Sequence, residues 1–261
     1  MDTVIKTTNL CRYFGAEDVE VKALDNINLA IQKGEFSAII GPSGSGKTTL
    51  LHLIGGLDNP TSGEVELSGI NIAQMSGTTL SNFRRDHIGF IFQSYNLIQQ
   101  LDVVENIHVP LFYQGKDINS YREHCEKLAE LVGLSDRMDH RPMQLSGGQQ
   151  QRVAVARSLA NEPLMLLADE PTGNLDSKTG EDILEMLDKL HGEGRTIVMV
   201  THDDEVAERA ERVIHLKDGL IDRDICVGKQ VAATPAPTSE ADVGEAKKVR
   251  FRVKLNRGEK D

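Results

Sequence analysis

Gly41-Pro42-Ser43-Gly44-Ser45-Gly46-Lys47-Thr48 is the stretch on which the reading of this chain turns. An apolar strand-like run, Phe36 to Ile40, feeds it, and an apolar helical run, Thr49 to Leu57, leaves it. It fits G-x-x-x-x-G-K-[ST] in the strand-loop-helix setting that the pattern requires. Glycines let the backbone curl so that successive N–H groups converge on an anion, and a helix N-terminus adds its dipole. In that arrangement Lys47 reaches the β- and γ-phosphates and the Thr48 hydroxyl ligates Mg²⁺. Kinases, GTPases, helicases and transport motors all share such a loop, so the choice among them lies with the other residues.

The totals narrow the field. A length of 261 residues allows one large or two small domains with a sizeable core. Hydrophobic residues at 39% and charged residues at 26% describe an ordinary globular chain. A net charge of −11 gives no global attraction to nucleic acid or to an anionic membrane, and no nucleic-acid partner is expected. Cys11, Cys125 and Cys226 are few and widely spaced, which suits a reducing compartment and offers no C-x-x-C pair. Met1 to Lys6 lacks the basic start and apolar core of a signal peptide. Apolar runs such as Leu164 to Ala168 fall far short of the ~20 residues a bilayer demands. The expectation is a soluble chain whose membrane role, if any, needs a partner.

Upstream of the loop, Thr3 to Lys6, Val19 to Leu24 and then Ile27, Leu29 and Ile31 read as half-buried antiparallel strands. Tyr13 or Phe14, just before Gly15, offers a ring face to a nucleobase. Downstream, Glu64 to Gly69 reads as a short edge-like strand, and Ile88 to Phe92 as a strand ending at Gln93, where open α/β sheets place their ligands. From Ser94 to about Ala160 helical periodicity replaces the strand signal: Val103 to Phe112, Tyr121 to Leu131 and Val153 to Leu159. Within that insert, Ser146-Gly147-Gly148 at a helix start makes a second cluster of converging N–H groups. A single nucleotide does not need two such cradles from one chain.

Leu164 to Ala168 and Thr196 to Val200 are apolar on both faces, as central parallel strands are. The first ends in Asp169-Glu170, where alternation turns one carboxylate toward a metal and the next toward a water. The second ends at Thr201-His202-Asp203, where a histidine can donate to phosphate. Ser177 is read as the N-cap of a helix from Lys178 to His191, and Val213 to Ile221 as a hairpin turning on Lys217-Asp218-Gly219. Residues 228–246, rich in Ala, Pro, Thr, Ser and Gly, read as a flexible linker. In the tail, 247–261, basic and apolar residues alternate, as in a segment that docks on a partner or simply solubilises the end.

Gly41 to Thr48, Gln93, Leu145 to Gln149, Leu164 to Glu170, Asn174 to Asp176 and His202 together resemble the full motif set of an ATP-binding cassette (ABC) ATPase, in the family's order. Glu20 to Leu24, Gly56-Leu57-Asp58 and Leu167 to Asp176 look most like its lipoprotein-release and macrolide-export branch. The resemblance implies an α/β fold, with a P-loop NTPase core, an N-terminal antiparallel β subdomain and an inserted helical subdomain at about 94–160, all within a nucleotide-binding domain of residues 1–227. It implies ATP and Mg²⁺ as ligands. Tyr13, with Phe14 as the alternative, would stack on adenine. Gly41, Ser43, Gly44, Ser45, Gly46, Lys47, Thr48 and Thr49 would hold the phosphates. Thr48 and Gln93 would touch the metal, and Asp169 would hold it through water. Glu170 would be the general base and His202 would meet the γ-phosphate. Ser146, Gly147 and Gly148 would bind ATP held by a second copy, and Asp176 would communicate across that homodimer.

By the same resemblance the partners are a twin chain and an integral membrane permease with an extracytoplasmic domain, which places the protein peripherally at the cytoplasmic face of a membrane. Driving export or membrane extraction is the leading expectation. The alternative is an ATPase that regulates an envelope or cell-division complex by mechanotransmission. A nucleic-acid or ribosome remodeller is disfavoured by the single cassette, the lack of heptads and the acidic balance, and a P-loop kinase would leave the Ser-Gly-Gly element without a task.

Overall fold

The N-terminal alternation becomes a long antiparallel pair, β1 (Thr3–Phe14) and β2 (Val21–Gln32), in a computed structural model that describes residues 2–15 and 20–226. Both the expected linker at 228–246 and the tail at 247–261 lie outside the described residues. β3 (Phe36–Ile40) then runs into the glycine loop and α1 (Lys47–Ile54) leaves it, three residues shorter than the apolar run suggests, because Gly55 and Gly56 end the helix. β4 (Ser62–Leu67) is not quite an edge: it lies between β1 and the two-residue β5 (Ile70–Asn71), in a four-stranded sheet of order β2-β1-β4-β5. α2 (Gly77–His87), which no periodicity announces, buries only Leu80.

β6 (Ile88–Phe92) opens the second half of a larger sheet. The helical stretch after it resolves into α3 (Val103–Tyr113), α4 (Ile118–Leu131) and α5 (Gly147–Leu159), the last starting at the Ser-Gly-Gly element itself rather than at Val153. β7 (Met165–Asp169), α6 (Ser177–Gly192), β8 (Thr196–Val200), the single-turn α7 (Asp204–Ala207), β9 (Arg212–Lys217) and β10 (Leu220–Cys226) complete the order. Asp218 and Gly219, both at positive φ, make the tight turn of the β9–β10 hairpin.

Six strands form the main sheet in the order β10-β9-β3-β8-β7-β6, with every pair parallel except β10 with β9. Burial on both faces explains the unbroken apolar runs. Ile39, Leu167, Val198 and Val200 face a core shared with α1, β1, β2 and β4. Their neighbours Ala38, Ile40, Leu166, Ala168, Ile197 and Met199 face the other way, into a core shared with α3, α4, α5 and α6. The helical insert therefore has no separate apolar centre among the described residues; its helices continue one face of the sheet. The glycine loop and the C-terminal ends of β7 and β8 emerge together, at the edge where parallel sheets present their ligands.

Candidate active site

α1 begins behind Gly46, whose φ of +101° is left-handed and whose Cβ, if it had one, would stand 2.3 Å from the Ala23 carbonyl oxygen. Only glycine fits there. With Gly46 as N-cap no side chain covers the first turn, and among the described residues the N–H groups of Gly46, Lys47, Thr48 and Thr49 donate to no acceptor of the chain. The Ser45 hydroxyl is buried and also unpartnered. The loop is braced from behind by the Gly219 N–H, which donates to the Ser45 carbonyl oxygen at 3.2 Å. Lys47 is buried, and its Nζ donates to the carbonyl oxygens of Gly41 and Pro42 at 2.9 Å each. Open N–H groups, a helix dipole and a fixed ammonium on one cavity wall are what a triphosphate requires. The cavity has a volume of about 800 Å³ and is lined by Gly41, Ser43, Gly44, Gly46, Lys47, Thr48 and Thr49 from the loop side.

The opposite wall comes from the tips of β7 and β8, paired in register at Asp169 and Val200. Asp169 Oδ1 accepts a hydrogen bond from Thr48 Oγ1 at 3.2 Å. Burial pushes the Asp169 carboxyl above its ordinary range, against the opposing pull of the Thr48 hydroxyl and of the positive charge on Lys47. Two oxygen donors held together beside a phosphate cradle fit Mg²⁺, which takes one or two protein oxygens and completes its shell with phosphate and water.

Strand alternation does not place Glu170. Its φ of +45° takes it out of the strand into the left-handed region, a conformation that costs a non-glycine residue about 1–2 kcal/mol. Two backbone bonds hold it there: its N–H donates to the Val200 carbonyl at 2.9 Å, and its own carbonyl accepts from the Gly173 N–H at 3.0 Å. So aimed, Glu170 Oε1 lies 3.1 Å from His202 Nδ1, and both residues line the cavity.

The remaining expected residues lie off this wall. Gln93 follows β6, and its Nε2 donates to Asn174 Oδ1 at 3.3 Å while Asn174 Nδ2 donates back to the Gln93 carbonyl at 2.9 Å. The Tyr13 hydroxyl donates to Asp25 Oδ1 at 2.7 Å, and Lys22 Nζ lies 5.2 Å from its ring centre; Phe14 is exposed with the Arg12 guanidinium 4.4 Å from its ring. Each ring thus carries a cation against it. Ser146 is exposed at the start of α5 and closes a capping box: its Oγ accepts from the Gln149 N–H, and Gln149 Oε1 accepts from the Ser146 N–H. Gly148 is buried, and a Cβ there would come 2.1 Å from Thr179 Cγ2. Asp176, not Ser177, is the N-cap of α6: its Oδ1 accepts from the Thr179 N–H at 3.1 Å, because a carboxylate bonds the exposed N–H groups and also suits the dipole. Ala23, Asp204 and His215 also line the cavity, and no local pattern in the sequence marks any of them.

Comparison with known proteins follows the same lines. The sequence pattern of the family described as ABC transporter matches residues 24–173. A macrolide export ATP-binding/permease protein MacB from Hyphomonas neptunium is 46% identical over 258 residues, covering 95% of this chain but 40% of that protein. An uncharacterized ABC transporter ATP-binding protein from Thermotoga maritima is 47% identical over 222 residues, covering 85% of this chain and 95% of the relative. A solved dimeric ATP-binding cassette in a post-hydrolysis state, bound to ADP and Pi, superposes with a TM-score of 0.79 at 45% identity, covering 85% of this chain and 98% of that one. This chain accordingly spans less than half of the MacB relative and nearly the whole of the single-cassette ones. With the family's pattern matched over more than half of its length, the chain belongs to the ABC transporter family of ATP-binding cassettes.

Proposed function

We propose that this chain is the ATP-hydrolysing subunit of an ABC-type membrane transport complex. The observation that carries the reading is the convergence on one cavity of four open N–H groups, Lys47, the Thr48 hydroxyl with Asp169 hydrogen-bonded behind it, and the Glu170–His202 pair. Phosphoryl transfer asks a protein for position and charge neutralisation, and this wall offers both. The loop amides and Lys47 bind the triphosphate. Glu170 accepts the proton of the attacking water, and His202, 3.1 Å away, orients that carboxylate and meets the terminal phosphate. Thr48, Asp169 and Gln93 would hold Mg²⁺, which when bound would supply further charge neutralisation at the phosphates.

Two copies, head to tail, enclose two ATP molecules between the Lys47 loop of one and the Ser146 loop of the other. The exposure of Ser146 and its absence from the chain's own cavity support this, as does the dimeric state of the related cassette. Loss of the bridging phosphate opens the pair, and that differential affinity drives the work. The partner it drives is a membrane permease, a reading supported by the ATP-binding/permease relatives. No helix among the described residues is long and apolar enough to cross a membrane. A groove of about 610 Å³ next to Phe92, lined by Arg85, Phe90, Tyr113 and Arg157 among others, suits the permease's cytoplasmic segment and supports a peripheral position at the cytoplasmic face. Export or membrane extraction of cargo is the output.

Glu170→Gln tests the reading. ATP binding is expected to persist while turnover falls on the order of 10³-fold, and light scattering should find an ATP-dependent dimer. A variant that stays monomeric with ATP bound refutes the sandwich.

A further inference from the structure

Gln151 lies in α5 with 0% exposure. Its Nε2 donates to the carbonyl oxygen of Pro171 at 2.7 Å. Its Oε1 is buried and has no partner among the described residues. An unpaired buried amide oxygen is destabilising, and a methionine of nearly the same volume would fill the space without it. Packing alone therefore does not account for a glutamine here; the bond to Pro171 does.

That bond joins two places of interest. α5 is the helix that begins at the exposed Ser146, and Pro171 directly follows Glu170 in its left-handed turn. One turn earlier α5 also packs, at Gly148, against Thr179 near the start of α6.

We infer that Gln151 is a positioning residue that ties the start of α5 to the turn that aims Glu170, so that a twin copy's nucleotide engaging Ser146 and the placement of the general base are mechanically one event. Gln151 touches no nucleotide itself. The inference rests on the reading of Glu170 as base and of Ser146 as the cradle for the twin's ATP.

Gln151→Met in the full chain tests it, beside wild type and Glu170→Gln. The thermal midpoint should stay close to that of wild type, since the orphaned Oε1 goes while the Pro171 carbonyl oxygen loses its donor. KM for ATP should hold, while kcat falls on the order of ten- to a hundredfold through misplacement of the base. The double variant Gln151→Met/Glu170→Gln should still dimerise with ATP. Three results would overturn the inference: an unchanged kcat, a kcat that falls only together with the thermal midpoint, or loss of the ATP-dependent dimer. Wild type that binds or hydrolyses no ATP overturns the underlying reading as well, whereas a fully active Gln151→Met beside an active wild type overturns this inference alone.

Discussion

The starts of α1 and α5 are both glycine-rich, and the chain finishes them differently. α1 begins behind Gly46 with no side chain over its first turn, inside a cavity whose far wall the same chain builds from Glu170 and His202. α5 begins behind Ser146 with a complete capping box, on the surface. An open helix start facing its own cavity is completed by a ligand; a self-capped one keeps its shape alone and engages a ligand only when another body brings it. Under the proposed function the two starts would then have different dependencies: the first on the fold of one molecule, the second on association.

The largest expected effect breaks the first cradle. Lys47→Ala should weaken ATP binding, read by calorimetry, on the order of a hundredfold, because a buried charge-assisted contact is lost; unchanged affinity would mean that the cavity is not the phosphate site. Next is Gly148→Ala, which drives a methyl into Thr179 and should cost about 1–3 kcal/mol of stability by denaturant titration. Adding Thr179→Ser should restore most of it, since the methyl goes while a hydroxyl remains to donate to Asp176 Oδ2. Ser146→Ala removes a cap worth about 1 kcal/mol, roughly 2–4 °C in thermal midpoint, and should leave ATP affinity of the monomer untouched. Affinity that falls with the cap would erase the contrast between the two starts.

The smallest effect concerns a third helix start. Asp176, at the head of α6, is held below its ordinary carboxylate value of 3.8 by hydrogen bonds from the Thr179 hydroxyl and N–H. A carboxylate depressed in the folded state contributes stability above its unfolded value and loses it as the pH falls through the folded one. Asp176→Asn should therefore flatten a slight acid-side decline in thermal midpoint below about pH 4 and change little at neutrality.

What the sequence disclosed depended on range. β3, β7 and β8 are legible because burial on both faces forces an unbroken apolar run, and the glycine loop because phosphate geometry dictates residue types at fixed spacing. α2 was silent because it buries only Leu80 and so carries no stripe. Residue type alone puts the cap of α6 one residue late, since Asp176 and Ser177 are both good caps and only the hydrogen bond to Thr179 decides between them. Glu170 lines the cavity, but a left-handed turn aims it, and φ is not written in residue type. Gly148 reads locally as anion chemistry; its contact with Thr179 is long-range and shows only in the fold.

β3, which leads into the glycine loop, has as its two neighbours β8 and β9, drawn from residues 196–217, and the Ser45 carbonyl is held by Gly219. During synthesis the loop therefore leaves the ribosome long before the strands that flank β3 and the residue that braces Ser45. Nascent chains halted ahead of the β9–β10 hairpin should be unable to retain nucleotide, which makes the phosphate loop a site completed late in translation.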